Sequence, residues 1–342
     1  MRLFTSALLL AAVNISVLGA ADSLLEKAKS YGLEPIPNDI DKLMSYMNDK
    51  SDPISYPKIE LGKKLYFDPR LSKSGLISCN TCHNLALGGA DGVSAAIGHK
   101  WTANPHHLNS PTVFNSVFNQ AQFWDGRSPH LADQAQGPIQ ADAEMAAPQE
   151  LVVSRVTSIP QYVEDFKKAY GANIKITFEK IASVIGVFER TLVTPSPYDA
   201  FLNGNENALS SKEKEGLELF IEKGCTACHN GIALGGTMQP FQVASQYKFI
   251  SLGDFKGDEN GMVKTPTLRN VAETAPYFHN GGIWELEEAI QEMGSVQLGI
   301  DISDKEAKSI AVFLGSLTGK KPQITYPILP SSTKKTPKPD AD

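Results

Sequence analysis

The chain has 342 residues and a formal net charge of −6, with 42% of its residues hydrophobic and 20% charged. A chain of this length and composition has room for two separate cores, so we expect a protein of two domains. The mildly acidic balance comes without a basic stripe, which argues against nucleic acid as a partner.

The first 20 residues have the layout of a secretory signal peptide. Arg2 precedes an apolar run from about Ala7 to Leu18, and small residues follow from Gly19 onward. The run is too short and too weakly apolar for a membrane span, and no other stretch is suited to be one. We therefore expect an exported protein, located in the periplasm and without a membrane span. The alternative, an uncleaved amphipathic N-terminus, is disfavoured by the small residues of the cleavage site.

All four cysteines lie in two Cys-x-x-Cys-His motifs, "CNTCH" at residues 79–83 and "CTACH" at residues 225–229. Two disulfides, a thioredoxin-type pair and a zinc site of four thiolates are alternatives, but none explains the histidine after each pair. Covalent haem c attachment does, because two thiols on one helical turn reach the two vinyl groups and the next histidine lies beneath the iron. The motifs predict two haem c groups bound by Cys79, Cys82, His83, Cys225, Cys228 and His229, with both histidines as iron ligands.

The two motifs head a repeat of helical elements. An amphipathic helix precedes each motif, and a stronger one closes each unit. Thr177 is the expected N-cap of the first closing helix, while Ser210 with Glu213 and Ser303 with Glu306 fit capping boxes in the second unit. The apolar stripes of the closing helices are Phe178, Ile181, Ile185, Phe188 and Leu192, and Ile310, Phe313, Leu314 and Leu317. This pattern predicts a mainly α fold of two cytochrome c-like domains in tandem, each with one covalently attached haem c.

The domain boundary is expected in "LVTPSPYDAFLNGN", residues 192–205, whose prolines break the first closing helix. The N-terminal domain then covers residues 21–192 and the C-terminal domain residues 193–322. We expect residues 323–330 to extend from it and pack back on the N-terminal domain. Residues 331–342 are polar, contain prolines and lack periodicity, which predicts a disordered tail.

The sixth iron ligand decides whether a haem carries electrons or binds a substrate. In the second unit the candidates are Met238, Met262 and Met293. Met293 is favoured because it lies on a predicted helix just before the closing helix, the order found in single-domain cytochromes c. Met238 is the second candidate, and a methionine that only fills a gap in the core remains an alternative.

The first unit offers Met145 and four histidines, His99, His106, His107 and His130. His99 ends the glycine-rich segment "ALGGADGVSAAIGHKW", and glycines lower the cost of rearranging the backbone. A ligand on such a loop can bind iron in one state and leave it in another. A plain surface histidine on a loop is the alternative.

The chain contains the long segments "IGHKW", "NSPTVFN", "AQFWDGRSPHLADQAQGPIQADAEM", "TPTLRNVAETAPYFHNGG" and "EMGSVQLG". Together they resemble the signature segments of bacterial dihaem cytochrome c peroxidases, and the resemblance runs from about residue 22 to 330. The chain departs from the pattern at "ANPHH", residues 103–107, where residues look inserted.

The resemblance implies roles for individual residues. His99 matches the displaceable sixth ligand of the N-terminal, peroxidatic haem, and Met293 matches the sixth ligand of the C-terminal, electron-accepting haem. Gln134 and Glu144 match polar residues above the peroxidatic haem, and Trp124 matches a tryptophan between the haems. On their residue types alone, Glu144 is also compatible with a solvated helix acid and Trp124 with a core aromatic.

The resemblance also implies calcium and partners. Asn109, Thr274 and Pro276 match positions that bind a calcium ion near the domain boundary, partly through main-chain carbonyls. Reduction of hydrogen peroxide to water requires two electrons, two protons and cleavage of the O–O bond. Glu144 is expected to move the proton and Gln134 to hold the peroxide. The implied electron donor is a small c-type cytochrome or a cupredoxin, and the implied assembly is a homodimer.

Two other functions remain open. A dihaem electron carrier without catalysis would keep both irons permanently six-coordinate. A related group of dihaem enzymes oxidises a protein tryptophan during maturation of a cofactor. Those enzymes carry a tyrosine where this chain has Met293, which argues against that function.

Overall fold

The computed structural model describes residues 23–241 and 244–342, so the predicted signal peptide at residues 1–20 lies outside the described residues. The fold is mainly helical, as the sequence predicts. No helix among the described residues has the length and apolarity to cross a membrane. The α-helices are α1 (Leu24–Ser30), α2 (Ile40–Met47), α3 (Tyr56–Phe67), α4 (Cys79–Cys82), α5 (Leu131–Gln134), α6 (Gln136–Gln140), α7 (Gln149–Thr157), α8 (Pro160–Tyr170), α9 (Phe178–Glu189), α10 (Pro197–Leu202), α11 (Ser211–Glu222), α12 (Leu286–Met293) and α13 (Asp304–Gly315).

A short antiparallel ribbon and a wide helical turn complete the architecture. Strand β1 (Met238–Pro240) pairs with β2 (Met262–Lys264), with Gln239 opposite Val263. A π-helical turn, Gly294–Leu298, follows α12 directly.

Two helix pairs organise two apolar cores. Helix α3 packs on α9 in the first core, and α11 packs on α13 in the second. Each pair crosses at a glycine: a Cβ at Gly62 of α3 would collide with the carbonyl oxygen of Val184, and one at Gly216 of α11 with that of Ser309. In both pairs the helix before the motif carries a glycine at the crossing, and the missing side chain lets the two helices of the pair approach closely.

The helix starts follow the predicted capping chemistry. The Thr177 hydroxyl accepts a hydrogen bond from the amide of Lys180. The capping boxes of Ser210 with Glu213 and Ser303 with Glu306 are both formed. The predicted apolar stripes of both closing helices are buried. Local sequence therefore determines where these helices begin and which face they bury.

The two halves are joined by a buried polar cluster around Thr194. The Asn115 side chain donates to the Thr194 hydroxyl at 2.7 Å and accepts from its amide at 2.9 Å. From the second half, the Asn270 side chain donates to the same hydroxyl at 2.9 Å. All three residues are fully buried, and both asparagines adopt left-handed backbone with φ of 61°.

The first helix lies with the second core, whereas the predicted boundaries placed it in the N-terminal domain of residues 21–192. Ala28 and Leu33 belong to the second core, and Leu33 forms a bridge with Gly231. The amide of Ile36 donates to the Asp199 carboxylate at 2.7 Å. Helix α1 and the residues after it lie on the second unit because these apolar side chains complete the core around α10 and α11.

The C-terminal residues also differ from their predicted disorder. The Arg155 guanidinium, on a side chain only 1% exposed, donates to the carbonyls of Pro337 and Lys338 at 3.3 and 2.8 Å. The amide of Asp340 donates to the carbonyl of Lys73 at 3.0 Å. A buried guanidinium requires acceptors, and the two tail carbonyls complete a set to which the carbonyls of Arg70, Ser72 and Lys73 also belong. Just before this tail, the Tyr326 ring lies 5.1 Å from that of Phe67 in the first unit.

Candidate functional site

Both Cys-x-x-Cys-His motifs form compact turns that orient their histidines alike. The amide of His83 donates to the carbonyl of Cys79 at 2.9 Å, and that of His229 to the carbonyl of Cys225 at 3.0 Å. The Nδ1 atom of His83 lies 2.9 Å from the carbonyl of Pro111, and that of His229 lies 3.0 Å from the carbonyl of Leu234. A ring that donates through Nδ1 leaves Nε2 with its lone pair for a metal.

The surroundings of both imidazoles favour their neutral form, the form that can bind a metal. Burial lowers the pKa of both His83 and His229. Helix α3 supports the first turn through Tyr66, whose hydroxyl donates to the carbonyl of His83 at 2.6 Å. Tyr66 is not among the site residues predicted from the sequence; the available signal for this contact is that a buried tyrosine hydroxyl needs a hydrogen-bond partner.

None of the four cysteines forms a disulfide. Burial raises the pKa of every one of these thiols. A redox-active Cys-x-x-Cys pair has a thiol with a lowered pKa instead. The thiols therefore fit thioether attachment better than dithiol chemistry.

A cavity of about 220 Å³ lies beside the second motif. Its wall contains Cys225, Cys228 and His229, together with Met293 of α12. Met238 lies elsewhere, with its sulfur against Gly126. Cysteine thiols, an imidazole prepared for a metal and a thioether in one apolar cavity match the donor set for haem c.

His99 of the first unit is buried without a hydrogen-bond partner for its ring among the described residues. Its side chain is 7% exposed, and neither ring nitrogen has a hydrogen-bond partner among the described residues. Leaving a buried polar atom unpaired costs about 1–3 kcal/mol, so a ligand to an iron atom fits this ring. The donor sets of both units thus fit the two haem c groups.

The backbone on both sides of His99 is constrained. A Cβ on Gly98 would collide with the carbonyl oxygen of Ala143. Lys100 and Trp101 both have left-handed backbone, with φ of 61° and 56°. Such a conformation costs roughly 1–2 kcal/mol for each residue with a side chain. The loop that holds His99 is therefore strained at two consecutive positions.

The other candidate ligands of the first unit have different surroundings. His106 is exposed and lies 3.0 Å from Asp254. The Nδ1 atom of His130 accepts a hydrogen bond from the amide of Asp133 and caps α5. Met145 is packed in the first core. The Nε2 atom of His107 is buried and has no hydrogen-bond partner among the described residues, but His107 lies within the segment at residues 103–107 that departs from the family pattern.

Glu144 lies next to both the His99 loop and the first motif. The amide of His99 donates to the carbonyl of Glu144 at 2.7 Å. The Glu144 carboxylate is close enough to Cys82 to raise the pKa of that thiol. Burial raises the pKa of Glu144 itself, partly opposed by the nearby Arg127 guanidinium. Gln134 is the last residue of α5, which packs on α9.

Trp124 connects two segments at the edge of the cavity. Its indole nitrogen donates to the carbonyl of Asn109 at 3.0 Å. Its own carbonyl accepts from the amide of Lys264 in β2 at 2.8 Å. Trp124 lines the same cavity as His229.

The three residues predicted for calcium line this cavity too. Asn109, Thr274 and Pro276 all contribute to its wall. The Asn109 side-chain amide donates to the carbonyl of Val93 at 2.8 Å, and this bond fixes the orientation of the amide group. Among residues 23–241 and 244–342 no cluster of three His, Cys, Asp or Glu side chains is placed to hold a metal ion. A metal at this place would depend on amide and carbonyl oxygens, which suit a hard cation such as Ca²⁺.

The fold and these two sites define a helical c-type haem protein. Comparison with known proteins identifies the family. The sequence profile of the di-haem cytochrome c peroxidase family matches residues 56–207. Cytochrome c551 peroxidase of Pseudomonas aeruginosa is 46% identical over 94% of this chain and 94% of its own length. Cytochrome c551 peroxidase of Nitrosomonas europaea is 48% identical over 82% and 85%.

A solved structure shares the fold. A MauG-like protein associated with microbial copper homeostasis covers 90% of this chain and 96% of its own, with a TM-score of 0.69 at 24% identity. The chain therefore belongs to the di-haem cytochrome c peroxidase family, and it is an enzyme of the cytochrome c peroxidase class.

Proposed function

We propose that the chain is a periplasmic dihaem peroxidase that reduces hydrogen peroxide to water. Its electrons come from a small c-type cytochrome or a cupredoxin. The observation that carries the proposal is the buried His99 ring with two unpartnered nitrogens, on a strained loop hydrogen-bonded to Glu144. A ligand of this kind closes the substrate position in one state and opens it in another.

His83, with Cys79 and Cys82, would hold the N-terminal haem, and His229, with Cys225 and Cys228, would hold the C-terminal one. When bound, these groups supply an iron position for peroxide and the storage of single electrons. Met293 would be the second protein ligand of the C-terminal haem iron, a role supported by its place in the cavity of His229. His99 would be the displaceable ligand of the N-terminal haem iron.

Glu144 transfers a proton between the two oxygen atoms of the peroxide. Hydrogen peroxide, two protons and two electrons give two waters, so one proton must reach the leaving oxygen as the O–O bond breaks. The Glu144 carboxylate takes the proton from the near oxygen and returns it to the far one. Burial raises its pKa, which makes it a better proton acceptor than an exposed glutamate. Gln134 orients the peroxide through hydrogen bonds.

Trp124 lies on the electron route between the two haems, supported by its position in the cavity wall and its contacts to Asn109 and Lys264. Asn109, Thr274 and Pro276 bind calcium there and stiffen the junction. We infer a homodimer from the family resemblance. We infer export from the signal peptide that the sequence predicts.

Steady-state peroxide reduction with a reduced monohaem cytochrome c tests the proposal. Turnover should be measured with and without prior reduction of the high-potential haem by one electron. We expect peroxide-dependent oxidation of the donor, faster after this half-reduction. A protein that only passes electrons, with no peroxide consumed in either state, would instead be the dihaem electron carrier.

A further inference from the structure

One charged side chain lies in the wall of the cavity beside His229. Lys264, the last residue of β2, lines this cavity and is only 6% exposed. Among the described residues of the wall no other is Lys, Arg, Asp or Glu. The cavity therefore combines apolar walls with a single cation.

No described carboxylate neutralises this cation directly. Lys264 forms no ion pair with residues 23–241 or 244–342. Asp125 is the acid whose charge reaches it, and that carboxylate lies 2.8 Å from the Arg127 guanidinium. Burial lowers the pKa of Lys264 to about 8. A buried ammonium is costly unless an anion joins it.

Haem c brings such an anion. The porphyrin carries two propionate carboxylates, and a carboxylate moved into an apolar cavity needs a charged or hydrogen-bonding partner. We propose that Lys264 binds a propionate of the C-terminal haem through a charge-assisted hydrogen bond. The inference deepens the proposed function, on which it rests for the haem in this cavity.

The backbone of Lys264 links this contact to Trp124. Its amide donates to the carbonyl of Trp124 at 2.8 Å, and the Trp124 indole donates to the carbonyl of Asn109 at 3.0 Å. One strand residue thus joins the propionate to the tryptophan at the junction. A cation beside a haem stabilises the reduced form, so Lys264 also raises the potential of this haem.

Redox titration of the purified holoenzyme tests the proposal. Lys264→Met keeps most of the side-chain stem and removes the charge. Lys264→Arg keeps the charge. Lys256→Met removes the same charge from an exposed position outside the cavity. We expect Lys264→Met to change the reduction equilibrium of the high-potential haem by about tenfold towards the oxidised form, which is about 59 mV for one electron.

The arginine variant should stay near the wild type, and so should Lys256→Met. Resonance Raman spectroscopy gives a second reading, because the bending mode of a haem propionate reports its hydrogen bonding. Lys264→Met should shift this mode and Lys256→Met should not. Unchanged potential and unchanged propionate mode in Lys264→Met would overturn the proposal.

Both readings are taken without peroxide, so they are independent of catalytic turnover. A protein that lacks peroxidase activity but shows both shifts keeps the inference and loses the proposed function. Haem content measured on each variant shows whether it has matured. If Lys264→Met does not accumulate with two haems, Lys264→Gln provides the same charge removal for both measurements.

Discussion

The amide of His99 donates a hydrogen bond to the carbonyl of Glu144 at 2.7 Å. The proposed gate and the proposed proton carrier are therefore connected through the backbone. A movement that takes His99 away from the iron breaks or carries along this bond, and the left-handed Lys100 and Trp101 supply strain that such a movement relieves. The same movement of the His99 loop then opens the substrate position and sets the position of Glu144.

Replacing Glu144 by glutamine keeps the shape of the side chain and removes the base. We expect kcat for peroxide to fall about 10²–10⁴-fold, the usual contribution of general acid–base catalysis. Haem content and both redox potentials should stay as in the wild type. Asp142→Asn, an exposed acid two residues earlier, is the matched control and should keep its activity. Near-normal peroxide turnover in Glu144→Gln would remove Glu144 from the mechanism.

The raised pKa of Glu144 also predicts a pH profile. The base is active when ionised, so activity should fall as the pH drops through its pKa. Because burial raises this pKa, the acid limb of kcat/KM should lie at a higher pH than an exposed glutamate would give. In Glu144→Gln this limb should disappear. A limb that persists unchanged in the variant belongs to another group.

Met293 should set the high potential of the C-terminal haem. Redox titration of the wild type should show two well-separated one-electron steps, because methionine and histidine ligation favour different oxidation states. Met293→His should lower the upper step and leave the lower one in place. Met238→Leu changes a methionine outside the cavity and should leave both steps unchanged. The opposite result, with only Met238→Leu lowering the upper step, would make Met238 the ligand.

Asn115 should stabilise the junction between the two halves. Asn115→Ala leaves the amide of the buried Thr194 without its partner and places alanine in a left-handed conformation. We expect a loss of about 2–5 kcal/mol, from roughly 1–3 for the unpaired group and 1–2 for the backbone. Thermal unfolding of the holoenzyme measures it. Asn207→Ala, an exposed control, should change the midpoint little, and an equal effect of the two variants would contradict the account.

The C-terminal residues should contribute to stability despite their polar composition. Removing residues 331–342 takes away the carbonyls of Pro337 and Lys338 that accept from the buried Arg155. The expected cost is about 1–3 kcal/mol, seen as a lower unfolding midpoint. Removing residues 341–342 alone keeps these acceptors and serves as the control. If both truncations unfold like the full chain, the tail contacts do not stabilise the protein.

Local patterns in the sequence predicted what depends on neighbouring residues. The N-cap at Thr177, the two capping boxes and the apolar faces of α9 and α13 follow from spacing within a few turns of chain. The attachment motifs were equally readable because their chemistry needs adjacent residues. Gly62 and Gly216, one in each helix that precedes a motif, are further sequence signals, because they mark the close helix crossings.

Long-range contacts were not predictable in the same way. Composition assigned α1 to the first unit and the tail to disorder, because it does not show that Leu33 meets Gly231 or that Arg155 reaches Lys338. The segment "MVKTPTLRN" does not indicate that Lys264 lies in the cavity wall, because a lysine in such a segment is typical of the surface. Burial and partner choice at these places depend on which distant segments the fold brings together.

The gate is tested most directly by His99→Gly. With His99 on the iron, peroxide has no position to bind, and moving a 1:99 equilibrium between open and closed states to 99:1 requires about 5.5 kcal/mol. The measurement is the reaction of the fully oxidised protein with peroxide, followed by absorbance, with His106→Gly as an exposed control. We expect His99→Gly to react at once and the control to need prior reduction like the wild type. If His99→Gly also remains unreactive until it is reduced, His99 does not close the site.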